Sequence, residues 1–155
     1  MSRPGWTRRE VMLALSASVL GAALPPLGGC GRSREAAPPA IAFDEDVCDW
    51  CHMTIDDPRL VAAFVPSSGR ALRFGEPGCL LAWLDARRRV EGSPFVAAQE
   101  DGGWLPAEGA AFARGAVRTP MRFDIAAWRG EPGSGAERLT WARLLEEGAP
   151  GARRG

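Results

Sequence analysis

The segment Cys48-Asp49-Trp50-Cys51-His52-Met53 gathers two thiols, a thioether and the chain's single histidine into one short stretch. Thiolate and thioether sulfur select soft ions, Cu(I) above all, because polarisable donors match a polarisable cation. The spelling Cys48-x-x-Cys51-His52 also fits a c-type haem, a zinc ion or a redox disulfide. Four chemistries are therefore open at this cluster.

Geometry and inventory weigh them differently. In an extended segment Cys51 and Met53 project from one face and form the strongest ligand pair. His52 then points away, and is either a ligand from a distorted backbone or an exposed neighbour. Zinc wants about four ligands. Beyond the cluster only Cys79 is a strong donor, with Asp46 and Asp49 as weaker ones. A thioredoxin-like site needs Cys-x-x-Cys at the start of a helix behind a buried strand. Here Thr119-Pro120 could supply its proline, but the approach Phe43-Asp44-Glu45-Asp46-Val47 is too acidic for that strand. For a haem, Cys48 and Cys51 would attach the macrocycle, His52 would be the proximal ligand and Met121 the distal one. The intervening chain reads as half strand, not as the helical wrapping a haem demands. Electron transfer through a c-type haem or a redox dithiol at Cys48-x-x-Cys51-His52 is thus the alternative to a copper site.

The elements that must position these groups have a mixed pattern. Leu60-Val61-Ala62-Ala63-Phe64-Val65 and Arg70-Ala71-Leu72-Arg73-Phe74 flank Pro66-Ser67-Ser68-Gly69 and predict a hairpin. Glu76-Pro77-Gly78 opens a segment with Leu80, Leu81, Trp83, Leu84 and Val90 at helical spacing, an amphipathic helix running through Arg89 with proline near its start. Phe95-Val96-Ala97-Ala98-Gln99 reads as a strand after the break at Gly92-Ser93-Pro94. A looser echo follows in Trp104-Leu105-Pro106, Ala111-Phe112-Ala113, the alternating Met121-Arg122-Phe123-Asp124-Ile125 and a helical Leu139 to Leu145, with a Gly/Pro-rich loop from Arg129 to Arg138. The expectation is an α+β fold of two small strand-strand-helix-strand units with mainly antiparallel strands, the second lacking a strong closing strand.

The N-terminus indicates destination. Thr7-Arg8-Arg9-Glu10-Val11-Met12 leads into an apolar run to Leu24 and then Leu27-Gly28-Gly29-Cys30. The run is short for a permanent span, so residues 1–29 read as an export signal. Leu-Gly-Gly-Cys resembles a bacterial lipobox, which would make Cys30 a lipidated anchor, the alternative being a plain secretory signal with a free Cys30. The paired arginines resemble a twin-arginine signal, or equally the basic end of a general secretory one. Residues 31–42, rich in alanine, proline and charge, read as a tether from the lipidated Cys30. The folded domain is expected over 43–148, roughly 110 residues and enough for one modest core, with a flexible tail over 149–155.

Net charge is zero, with 19 basic residues that are all arginine. These are scattered, and Arg87-Arg88-Arg89 reads as a solvated helix end suiting the helix dipole, so nucleic acid is not expected as a partner. If Cys30 is lipidated, Cys48, Cys51 and Cys79 remain, an odd number that argues against a pure disulfide framework.

Taken together, Asp46-x-Cys48-x-x-Cys51-x-Met53-x-Ile55, Leu72-Arg73-Phe74 leading into Gly78-Cys79-Leu80-Leu81-x-Trp83-Leu84, and Thr119-Pro120-Met121 resemble the NosL family in type, order and spacing over nearly the whole mature chain. NosL proteins are periplasm-facing copper-binding lipoproteins accessory to nitrous oxide reductase. The resemblance implies a Cu(I) chaperone, not an enzyme, held at the membrane by palmitate-type lipidation of Cys30 and facing the periplasm. It would supply nitrous oxide reductase, the denitrification enzyme, or a related cuproenzyme, beside a membrane transporter complex. The family's Cys-x-Met pair falls on Cys51 and Met53, and its Thr-Pro-Met methionine, a further ligand, on Met121. On this reading Cys51 is the essential thiolate, and Met53 and Met121 are exchangeable thioethers. Cys48 is an auxiliary ligand, or a thiol that pairs with Cys51 when copper is absent, and His52 retunes the site. Cys79 is read as a buried structural cysteine, with a helix-start thiol of lowered pKa as the alternative.

Overall fold

The computed structural model describes residues 36–87, 90–133 and 135–149. The expected signal, Cys30, Arg88, Arg89 and the last six residues lie outside them. Among the described residues no helix is long and apolar enough to cross a membrane.

The first half keeps the expected order of hairpin, helix and strand, but the helix ends at Ala86 and Gly92-Ser93-Pro94, expected as the break, opens the return strand, because its residues pair with Pro66, Val65 and Phe64 of the first strand. Strands β1 (Ala62–Pro66) and β2 (Leu72–Phe74) form the hairpin, helix α1 (Pro77–Ala86) follows, and β3 (Gly92–Ala97) returns to pair with β1. β4 (Trp104–Pro106) then adds to the far side of β3, which gives an antiparallel sheet in the order β2-β1-β3-β4. Trp104-Leu105-Pro106 thus completes the first sheet instead of opening a second unit. After a 3-10 turn at Ala107–Gly109, β5 (Ala111–Arg114) and β6 (Ile125–Trp128) make a separate antiparallel pair, and α2 (Trp141–Glu147) closes the described chain. Parallel bridging of Ala98 to Ala127 and antiparallel bridging of Phe112 to Leu139 stitch this pair to its surroundings. The result is a small α+β fold with antiparallel sheets, and the second half has strand, strand and helix without a closing strand among the described residues.

Helix α1 departs from the amphipathic expectation. It packs against β1, β2, β6 and α2, and every residue from Pro77 to Trp83 is buried. A helix covered on almost all sides has no polar face to show, so its apolar run is continuous and not striped. Only its C-terminal end emerges, where the Arg87 guanidinium stacks 4.8 Å from the Trp83 ring. Phe64, Phe74, Leu80, Leu81, Phe112, Ile125 and Leu144 fill the single core around it.

The second difference concerns Met121-Arg122-Phe123-Asp124-Ile125, whose alternation predicted a strand. The strand begins only at Ile125; the preceding residues form a turn. Thr119 and Asp124 close it reciprocally: the Thr119 N–H donates to Asp124 Oδ1 (3.0 Å) and the Asp124 N–H to Thr119 Oγ1 (2.9 Å). Arg122 and Asp124 take left-handed backbone angles (φ 59° and 52°), which no strand accommodates.

At the N-terminal boundary the packed structure reaches into the segment read as tether. Ile41 packs on the core, the Arg73 Nε donates to the Ala40 carbonyl (3.1 Å), and the Ala42 N–H donates to Asp46 Oδ2 (2.9 Å). At the other end Ala149, placed in the expected tail, is buried.

Candidate metal centre

The Cys48–Met53 segment is a tight hairpin loop, not the extended stretch expected. Val47 bridges Thr54, the Cys48 N–H donates to the Met53 carbonyl (2.9 Å), and the His52 N–H donates to the Cys48 carbonyl (3.0 Å). Closing so short a loop requires a residue in the left-handed region, and His52 supplies it with φ 61°. Its side chain is exposed and does not line the cavity below. The structure therefore leaves His52 outside the group of donors, for a reason the strand argument did not contain.

Asp49 fixes the loop to the first sheet. Its N–H donates to the Arg73 carbonyl (2.8 Å), its Oδ2 accepts from the Arg73 N–H (2.8 Å), and its carboxylate pairs with the Arg70 guanidinium. Asp46 is likewise engaged, by the Ala42 N–H and by Arg73 Nε at 3.2 Å. Neither carboxylate has the freedom that a zinc ligand set would ask of it.

Beneath the loop lies a cavity of about 40 Å³ lined by Cys48, Cys51, Met53, Glu76, Cys79 and Met121 among others. A void that size exceeds the roughly 10–15 Å³ one water requires, yet falls far below the roughly 300–1,000 Å³ typical of small-molecule sites. It suits a single ion and no macrocycle. With the strand-rich surroundings this disfavours the haem alternative.

Three elements deliver the donors. The hairpin loop brings Cys48 and Cys51, the first turn of α1 brings Cys79, and the 119–124 turn brings Met121. The sulfur atoms of Cys48, Cys51 and Cys79 all lie within 4.8 Å of one another, and none is in a disulfide. Cys48 and Cys79 are fully buried and Cys51 partly so, whereas Met53 and Met121 are 47% and 39% exposed. The site thus has a thiol floor and a thioether rim, with exposed Trp50 nearby on the same loop.

Cys79 is the donor that sequence reasoning set aside. Its signal was present in the Gly78-Cys79 step at a helix start, but nothing local shows that Cys48 would be folded against it. The thiol with lowered pKa is also not Cys79. The Cys79 side chain hydrogen-bonds Cys48 and, with backbone N–H groups of Cys51, Gly75 and Trp50, outweighs burial to hold Cys48 at about 5. The same bond, with burial, pushes Cys79 strongly upward. Cys51 is raised by burial in the main. The shared hydrogen bond thus favours the thiolate on Cys48 and the thiol on Cys79.

Glu76 is the other group missed. It is 1% exposed at the N-terminal boundary of α1, where its side chain caps nothing. Instead its Oε1 accepts the Met121 N–H at 2.8 Å, while Oε2 has no hydrogen-bond partner. Burial drives its pKa upward, moderated by the Thr119 hydroxyl and the Met121 N–H. Gly78 completes the seat, since a Cβ there would land on the Phe123 side chain. The Met121 turn is thereby pressed directly on the first turn of α1.

Among solved structures, the fold is similar to the crystal structure of the copper chaperone NosL from Shewanella denitrificans, with TM-score 0.57 and 16% identity over 72% of this chain and 99% of that one. No known family profile and no curated relative matches the chain. The family resemblance seen in the motifs is therefore met at the level of the fold.

Proposed function

We propose that this chain is a Cu(I) carrier that faces the periplasm, tethered to the membrane through a lipidated Cys30, and that it is a chaperone and not an enzyme. One observation carries the reading: three thiols and two thioethers, drawn from three separate elements, converge on one ion-sized cavity with the thioethers at its exposed rim. Soft sulfur donors at that density, thioethers among them, favour Cu(I) over harder ions. A carrier must also release its cargo. Cys51, Met53 and Met121 lie where an incoming ligand could reach the ion, so transfer can pass through a centre shared by donor and acceptor.

In this assignment Cys51 is the central thiolate, Met53 and Met121 are exchangeable thioethers, and Cys48 supports Cys51. The fold shared with NosL supports nitrous oxide reductase, or a related cuproenzyme with its membrane transporter complex, as the destination. The test is an anaerobic competition titration against a Cu(I) chelator. Cys51→Ser is expected to lower affinity at least tenfold. Unchanged affinity in that variant would refute the assignment, while an intense Soret band in protein matured in its own compartment would restore the haem alternative.

A further inference from the structure

Cys79 has no place in the set of Cys51, Met53 and Met121, yet among the described residues its sulfur lies within 4.8 Å of those of Cys48 and Cys51. Bonds of about 2.3 Å from a metal to three sulfurs in a plane put those sulfurs about 4 Å apart. Cys48, Cys51 and Cys79, all within 4.8 Å of one another, need contract only slightly to meet that triangle. Two of the three are fully buried and all are free thiols, on the inner side of the cavity whose outer side carries Met53 and Met121.

We propose that the cavity holds two overlapping seats for one Cu(I) ion: an inner seat of the Cys48, Cys51 and Cys79 sulfurs, and an outer seat of Cys51 with the Met53 and Met121 thioethers. This rests on the copper reading above. Cys51 is common to both and stays bonded during the exchange. Moving inward, the ion forms bonds to the Cys48 and Cys79 sulfurs and gives up those to the two thioethers, and any proton on those two sulfurs passes to solvent. Moving outward reverses each change, and Cys79 regains a proton from water. Copper remains Cu(I) throughout, so no oxidant or reductant is consumed.

The two seats divide retention from release. Three thiolates bind a soft ion more strongly than one thiolate and two neutral thioethers, and burial of Cys48 and Cys79 shields the inner ion from competing ligands. The outer seat gives an acceptor access at the cost of affinity. A single-seat carrier would have to compromise between the two.

The test uses the full chain with its methionines replaced by selenomethionine, loaded anaerobically with one equivalent of Cu(I) and measured by X-ray absorption at the copper edge. The expected wild-type spectrum shows three sulfur neighbours and no selenium. Cys79→Ser is expected to move copper onto selenium, to lower affinity tenfold or more against a chelator, and to speed capture by that chelator. A wild-type spectrum with selenium neighbours, or unchanged affinity in Cys79→Ser, overturns the inner seat. The wild-type measurement needs no variant to fold. Failure of the copper reading looks different: the wild type would bind no Cu(I), or Cys51→Ser would bind it as well as wild type.

Discussion

The buried carboxylate of Glu76 holds Met121 in place through its main chain, accepting the Met121 N–H at 2.8 Å while its second oxygen stays unpartnered. A glutamate at a helix start would ordinarily bond the helix's own N–H groups. Here that role is given up to pin a distant turn against α1.

Glu76→Gln keeps an acceptor for the Met121 N–H and removes a charge that burial disfavours. Because the folded-state pKa of Glu76 is raised, its contribution to stability is intact below the ordinary value of 4.5 and is lost as pH rises through the raised value. Thermal unfolding of the metal-free proteins should show the glutamine variant gaining on wild type between pH 4.5 and 7.5. Glu76→Ala should instead lose about 1–3 kcal/mol relative to the glutamine variant, from the unpaired Met121 N–H and the void left behind.

Gly78→Ala should displace Phe123, and the Met121 turn with it, because the new methyl would occupy the Phe123 side-chain position. Overpacking of this kind costs about 1–3 kcal/mol. Denaturant unfolding of the metal-free protein reads the stability loss. Chelator capture should also change, which a helix-propensity effect alone would not produce.

Cys48, held at about 5, should remain a thiolate in metal-free protein at neutral pH. Ultraviolet thiolate absorption is expected to persist as pH falls and to vanish only near that value. Stability from this group follows the same sign, being present above its unfolded value and lost as pH falls through about 5. Cys79→Ala removes the largest cause and should move the midpoint upward.

His52→Gly separates sulfur coordination from haem attachment. His52 stands at φ 61°, where a non-glycine residue costs about 1–2 kcal/mol, so glycine should leave the fold equal or more stable. Cu(I) affinity should shift by less than about threefold, under 0.7 kcal/mol. A tenfold loss would make the imidazole a ligand.

The hairpin β1–β2, the helix after Pro77 and the return strand were legible because period, breakers and apolar runs agree over each of them. The turn at Met121 was not, since the reciprocal Thr119–Asp124 bonds and the glycine seat under Phe123 depend on which element packs alongside. Nor was the enclosure of α1, which reads as a half-buried helix until a second sheet covers it. At the site, the motifs and the resemblance they carry named Cys51, Met53 and Met121, all of which line the cavity. Cys79 and Glu76 could not be named this way, because their roles arise where the Cys48–Met53 loop and the 119–124 turn meet the first turn of α1.

That the donors come from three elements has a consequence for the lifetime of the chain under the proposed function. In an unfolded chain Cys48, Cys51 and Met53 remain neighbours, but Cys79 and Met121 join them only once α1 and the 119–124 turn are assembled. Occupancy therefore favours the folded chain by mass action, by about 2.7 kcal/mol when free ion stands a hundredfold above the dissociation constant. If the chain carries Cu(I) as proposed, each delivery would withdraw that support and leave the spent form more open to proteolysis, so turnover would fall first on molecules that have discharged their ion.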